Sequence, residues 1–278
     1  MSQHISDLIE DRFGLSTTVG AQVPTEGPLA SILQRRTHRQ YTDQLIDDDL
    51  FDTLLACGLS ASSKSDLQQA SIVVVDDPDK RALIASWIPS MPWLAKAPRL
   101  LIFCGDHSRL RIASELRAKP FPNDNVDQFM NAAIDAGLVM QTFTLAAESV
   151  GLGCCPISEV RSHIDALSEL LELPDWVFPI AGLCVGYPAR EGFVSMRLPP
   201  SLTVHRNRYD ADQRAEKIDD YDKRRDQRFS IPETAQKETE RFGVADFYGW
   251  SEDKTRQYST PQRPDFLAYL KARGFGMA

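Results

Sequence analysis

Apolar positions first recur at helical spacing near the start of the chain, where Ile5, Leu8 and Ile9 mark an amphipathic segment. A loop-like TTVGAQVPTEGP follows, and then a short helical stretch, PLASILQRR, that runs into the cations Arg35, Arg36 and Arg39 with His38 among them. Three aspartates open DDDLFDTLLACGLSAS, and Leu50, Phe51, Leu54 and Leu55 share one helical face behind them. Acidic residues in a first turn suit the helix dipole, so the pattern predicts a helix with Asp47, Asp48 and Asp49 as a solvated cap. A Ser/Ala/Lys loop is expected over 60–65. The β-branched run at 71–75 and the apolar LLIFC at 100–104 both read as buried strands.

The longest periodic segment carries Val126, Phe129, Met130, Ala133, Ile134, Gly137, Leu138, Gln141, Leu145 and Glu148. It predicts a long helix whose small residues Ala132, Ala133, Ala136 and Gly137 admit another backbone closely, with Gly151 and Gly153 ending it. CCPI reads as a brief strand, IDALSELLEL as a helix stopped by Pro174, and VFPIAGLCVGYP as an apolar strand. Beyond Tyr209 the run DQRAEKIDDYDKRRDQR is charged with weak apolar periodicity, and reads as solvated helices that wrap something.

Composition narrows the classes. Of 278 residues 42% are hydrophobic, enough for a sizeable core, and no run approaches the roughly 18 apolar residues of a membrane span. The net charge is −8 and no five-residue basic block occurs, which argues against a general nucleic-acid or anionic-membrane binder. Any anionic ligand must therefore be held by local arginines. Five cysteines without CxxC spacing read as reduced core thiols, Cys154 and Cys155 included. MSQHISDLIEDRFG lacks the flanks of a signal peptide, so a cytoplasmic location is expected.

Scattered histidines at no ligand spacing predict no metal site. There is no GxSxG elbow and no P-loop, and GLGCC follows a helix where a dinucleotide fingerprint would follow a strand. What remains is arginine among small hydroxyl residues: RRTHR at 35–39, SSKS at 62–65 and MRLPPSLTVH at 196–205. Such a mixture suits a phosphate, which Arg grips bidentately and Ser or Thr approaches with short donors. RRTHR is equally explained as a basic helix C-terminus favoured by the dipole. Trp87, Trp93, Trp176 and Trp250 are expected to pack in cores or interfaces, with Trp93 nearest the active-site segment.

The blocks LQRRTHRQYTDQLIDDDLFDTLLACG, SSKSDLQ, MNAAIDAGLVMQTFTLAAESVGLGCCPI, LLELPDWVFPIAGLCVGYPA and MRLPPSLTVHRNRYD, in that order, resemble the FMN-dependent nitroreductase family, most closely its NADPH-preferring branch. The resemblance spans roughly residues 28 to 278. It implies an α+β fold, with a central, mainly antiparallel sheet flanked by helices, in an intertwined homodimer. It also implies an N-terminal extension over 1–27, an FMN-binding core over 28–208 and a C-terminal helical excursion over 209–278 that packs on the partner.

Carried over residue by residue, the resemblance places Arg35 and Arg197 on the FMN phosphate, with Arg36 nearby and Thr37 donating to the phosphate or ribityl chain. Arg39 falls beside N1 and O2 of the flavin, where a cation favours the reduced, anionic ring. Ser63, Lys64, Ser65 and Gln68 match a serine-rich loop reaching the flavin from the other subunit. Pro156, Ile157, Ser158 and Glu159 match the segment whose backbone amides meet the ring edge near N5. Arg263 aligns with an arginine for the NADPH 2′-phosphate, with Arg241 as a second candidate. Four positions depart from the pattern. Ser195 stands where the family has a lysine, a loss that Arg36 or Lys64 would make up, and Met91, Asp66 and the pair Ser158-Glu159 replace residues around the ring, narrowing or recharging its pocket.

The activity implied is a ping-pong oxidoreductase that takes hydride from NADPH or NADH and reduces nitroaromatics or quinones, with no protein acid, base or nucleophile. The alternatives are a flavin reductase that supplies reduced FMN to a monooxygenase, and a non-catalytic FMN-binding redox sensor. An α/β protein without cofactor is the fourth possibility.

Overall fold

The computed structural model describes residues 4–276 and divides the chain into two compact units. One comprises the chain up to Arg35 together with Val194–Gln262, and the other Arg36–Phe193 together with Arg263–Ala278. Each unit thus joins two separated stretches of the chain, where the resemblance implied the consecutive blocks 1–27, 28–208 and 209–278.

The second unit is built on a four-stranded sheet of β1 (Ala70–Val74), β2 (Arg99–Asp106), β3 (Gly153–Ile157) and β4 (Val177–Gly186), in the order β1-β2-β4-β3. Every pairing is antiparallel. Side chains alternate across the central strands, as the pleat requires. Leu100, Ile102, Cys104 and Cys184 enter one core with Ile84, Ile88, Leu94 and Leu167, while Leu101, Phe103, Leu183 and Val185 enter another with Phe51, Leu54, Val139 and Phe143. The first core lies against α4 (Pro78–Ser86) and α7 (Ile164–Leu170), and the second against α3 (Asp48–Leu59) and α6 (Val126–Ser149). Helices α5 (Ser108–Leu116) and α12 (Phe266–Ala272) complete the unit. Burial thus comes from both faces of β2 and β4, whose continuous apolar runs announce it.

Asp47 caps α3 as expected, its carboxylate accepting the Leu50 N–H at 3.1 Å. Ala132 and Ala136 of α6 are fully buried, as small residues in a packed face should be. A Cβ on Gly58 of α3 would stand 3.0 Å from Cβ of Phe143 of α6, whereas Gly137 faces open space. Gly151, at φ +83°, follows the end of α6, but Gly153 begins β3 instead of closing the helix. Residues 71–74 of this run are half-buried in an edge strand, β2 being the one partner of β1 among the described residues, while Val75 just beyond the strand is buried. Of the five thiols Cys57 is exposed; the other four are buried, and burial pushes Cys104 up to about 12.

The first unit packs α1 (Ile5–Phe13) on α2 (Pro28–Gln34) through Ile5, Leu8 and Ala30. Its tail helices are α8 (Pro200–Thr203), α9 (Arg214–Phe229), α10 (Thr239–Phe242) and α11 (Trp250–Gln257). Only Tyr221 and Asp222 of α9 are buried, matching the solvated character of its sequence. Tyr221 donates to the Met196 carbonyl at 3.1 Å, and Asp222 accepts the Ser251 N–H at the start of α11. Among the described residues no helix is long and apolar enough to cross a membrane.

Candidate functional site

In the first unit the site is organised by Arg12, the penultimate residue of α1, which is buried. Its guanidinium donates to the carbonyls of Leu33 (2.6 and 3.0 Å), Arg35 and Ser195 (2.9 Å), and its own carbonyl accepts the N–H of Arg197 at 2.8 Å. A planar fork of five donors can satisfy three separate carbonyls in this way. The consequence is that the end of α2 and the 195–197 segment are pinned to the same side chain. Arg35 and Arg197 accordingly line one cleft of about 260 Å³ with Arg12, Phe13, Ile32 and Leu33. Ser195, in place of the lysine, accepts a hydrogen bond from Arg197 Nη1 through its hydroxyl, so it orients the arginine instead of adding a cation.

In the second unit the cationic segment from Arg36 to Arg39 runs along the sheet. His38 N–H donates to Cys154 of β3 at 3.1 Å, and Tyr41 reaches the carbonyls of His38 and Cys184 at 2.8 and 3.3 Å. Gly153 permits the approach, because a Cβ there would stand 2.7 Å from Cβ of His38. Arg36 is ion-paired with the exposed Glu191 at 2.6 Å and donates to the Gly192 carbonyl at 3.0 Å. Arg39 is exposed, with its guanidinium 5.5 Å above the Trp93 ring, and Thr37 is half-buried beside it in sequence. The other tryptophans pack as expected: Trp87 stacks on His163, Trp250 meets Tyr221 edge-on, and Trp176 donates to Gly274 at 3.0 Å.

The serine loop is held by a residue that sequence reasoning missed. Asp135 of α6, 2% exposed, accepts Ser63 Oγ (2.7 Å) and the N–H groups of Lys64 and Gln69 (both 3.1 Å). Three charge-assisted bonds to one buried carboxylate hold the loop in an unusual shape, with Ser65, Asp66 and Gln68 all at φ between +50° and +57°. Ser63 Oγ also accepts the Gln68 N–H at 2.7 Å, and the Gln68 amide donates to Asp66 at 3.0 Å. Lys64 pairs with Asp127 at 3.5 Å, both side chains about half exposed. The one signal in the sequence was an acid amid the small apolar residues NAAIDAG.

Pro156 and Ile157 end β3, an edge strand where a proline costs no ladder bond, and Ser158 and Glu159 follow at its tip. Ile157 is buried, Ser158 is exposed and Glu159 is half-buried. Arg263 Nη2 meets Glu159 Oε2 at 3.1 Å, and Met91 packs into the core beside Trp93. Arg241, in the first unit, donates to Ser259 (3.1 and 3.3 Å) with its guanidinium over the Phe242 ring.

Comparison with known proteins matches the nitroreductase family over residues 32–187 and that family's C-terminal domain over 195–278. The chain is 32% identical to an FMN reductase [NAD(P)H] of Bacillus subtilis over 250 residues, 89% of this chain and 97% of that one. It is 33% identical to an oxygen-insensitive NADPH nitroreductase of Salmonella typhimurium over 175 residues, 63% of this chain and 71% of the other. Among solved structures, B. megaterium NfrA2 superposes with a TM-score of 0.81 at 34% identity, covering 90% of this chain and 98% of its own.

Proposed function

Because the chain belongs to the nitroreductase family, we propose that it is an FMN-dependent NAD(P)H oxidoreductase that reduces nitroaromatics or quinones by ping-pong two-electron transfer. The observation that carries this reading is the convergence of Arg35 and Arg197 on one cleft, a donor set that fits a phosphomonoester. FMN, when bound, supplies the redox chemistry: it accepts hydride from the coenzyme and returns two electrons to the acceptor.

The chain's own contribution is binding and positioning. Arg35 and Arg197 hold the phosphate with Thr37 as a further donor, while Arg12 fixes the carbonyls behind them. Arg39, exposed and resting over Trp93, would supply a cation that favours the reduced, anionic ring. Backbone groups of Pro156, Ile157, Ser158 and Glu159 orient the opposite edge, on a strand end held by pairing to β4. The serine loop offers Ser65 and backbone groups, because Ser63 Oγ is already bonded to Asp135. Arg263 receives the coenzyme, with Arg241 as a second contact.

The reading includes a homodimer. Its support is an apolar stripe on α6, where Val126, Met130, Ile134 and Leu138 recur every fourth residue and are 41–54% exposed. It also includes a cytoplasmic location, which five free cysteines favour. A second reading, in which reduced flavin is released for another enzyme, draws on the Bacillus subtilis relative being an FMN reductase. Fluorescence titration of apoprotein with FMN tests the common premise: saturable binding at one FMN per chain supports it, and no binding removes it.

A further inference from the structure

Glu159 and Arg263 form an ion pair at 3.1 Å, with Arg263 16% and Glu159 39% exposed. Arg263 stands at φ +51°, a left-handed conformation that a non-glycine residue keeps only where its surroundings impose it. Its Nε is buried with no acceptor among the described residues, and the one hydrogen bond from its side chain among them goes to Glu159. Beside it lies a cavity of about 410 Å³ lined by Arg161, His163, Asp165 and Asp265 as well as Arg263. Arg161 donates to the Ile180 carbonyl and His163 stacks on Trp87, while Arg263 faces the Glu159 carboxylate.

From this geometry we infer that Glu159 is a determinant of coenzyme choice: its carboxylate occupies Arg263 and competes there with the 2′-phosphate of NADPH. The inference rests on the proposed contact between Arg263 and the coenzyme. A 2′-phosphate reaching Arg263 must displace Glu159 or sit beside it as a like charge, and both oppose binding. NADH carries no such group and leaves the pair intact. Glu159 therefore lowers the preference for NADPH over NADH that Arg263 alone would confer, which is specificity set by a repulsive element.

The test uses the FMN-loaded protein and calorimetry with two probes, adenosine 2′,5′-bisphosphate and 5′-AMP, beside kcat/KM for NADPH and NADH. Glu159→Gln should tighten the bisphosphate relative to 5′-AMP by about tenfold, the effect of one charge-assisted interaction, and raise the NADPH:NADH ratio of kcat/KM in parallel. Arg263→Ala should weaken the bisphosphate selectively, and in the double variant the gain from Glu159→Gln should vanish. Equal shifts for both probes in Glu159→Gln, or a gain that persists without Arg263, would overturn the inference while leaving the contact at Arg263 standing. If Arg263→Ala fails to distinguish the probes, the contact itself falls and the inference with it. Glu159→Ala provides a second variant, and flavin content shows that each is folded.

Discussion

The carbonyl of Arg12 accepts the N–H of Arg197 at 2.8 Å, and the guanidinium of Arg12 returns to the carbonyl of Ser195 two residues before it. A buried arginine that itself lines the cleft thus sets the backbone from which Arg197 reaches out. The same guanidinium holds Leu33 and Arg35, so the two phosphate-binding candidates share one support.

Arg12→Lys keeps the charge but cannot bond three carbonyls at once, so buried acceptors are left unsatisfied at about 1–3 kcal/mol each. Thermal unfolding should move down, and FMN affinity should fall about tenfold at temperatures where the variant is still folded. Unchanged affinity in a folded variant would mean that the cleft does not depend on this support.

Arg197→Ala removes a charge-assisted interaction of about 1.5–3 kcal/mol, so FMN should bind roughly ten- to hundredfold more weakly, with little change in unfolding temperature because Arg197 is exposed. Fluorescence titration decides it, and equal affinities would dismiss the phosphate clamp.

Asp135→Asn leaves a single acceptor where a carboxylate served Ser63 Oγ and two backbone N–H groups. The left-handed residues Ser65, Asp66 and Gln68 then lose what holds them. Limited proteolysis should cut near 60–68 several times faster than in the parent, with stability lowered by about 1–3 kcal/mol. An unaltered cleavage rate would show that the loop keeps its shape without this anchor.

His107 is fully buried, with Nδ1 2.9 Å from Gln69 Oε1. Burial, and then the Arg111 charge, lower its pKa below the ordinary 6.5, against a smaller opposing pull from Asp106. Between the lowered value and 6.5 the unfolded chain binds the proton and the folded one does not. This contribution to stability is therefore complete above pH 6.5 and is lost as pH falls below it, at up to about 1.4 kcal/mol per pH unit. Denaturant unfolding from pH 7.5 to 5 should be less pH-dependent in His107→Gln than in the parent; parallel profiles would show that His107 does not contribute.

Local features of this fold were legible because their causes are local. The Asp47 cap, the span of α6 and the apolar β2 and β4 follow from dipole, periodicity and continuous burial. Arg12 and Asp135 were not legible, since their partners lie 21 to 183 and 66 to 72 residues away and no spacing announces such bonds. The run at 71–75 misled for a related reason. Apolar content does not tell an edge strand from a central one, because that depends on which strands pair. The resemblance supplied Arg35 and Arg197 as a pair, but only the fold brought in Glu159 as the partner of Arg263.

The central claim is that NAD(P)H reduces flavin held by this chain and that an acceptor then reoxidises it. An anaerobic spectrum of the FMN-loaded protein should lose its band near ~450 nm on addition of NADPH and regain it on addition of a nitroaromatic or quinone. Flavin that stays oxidised in the presence of both NADPH and NADH would contradict the account and leave an FMN-binding protein without this activity.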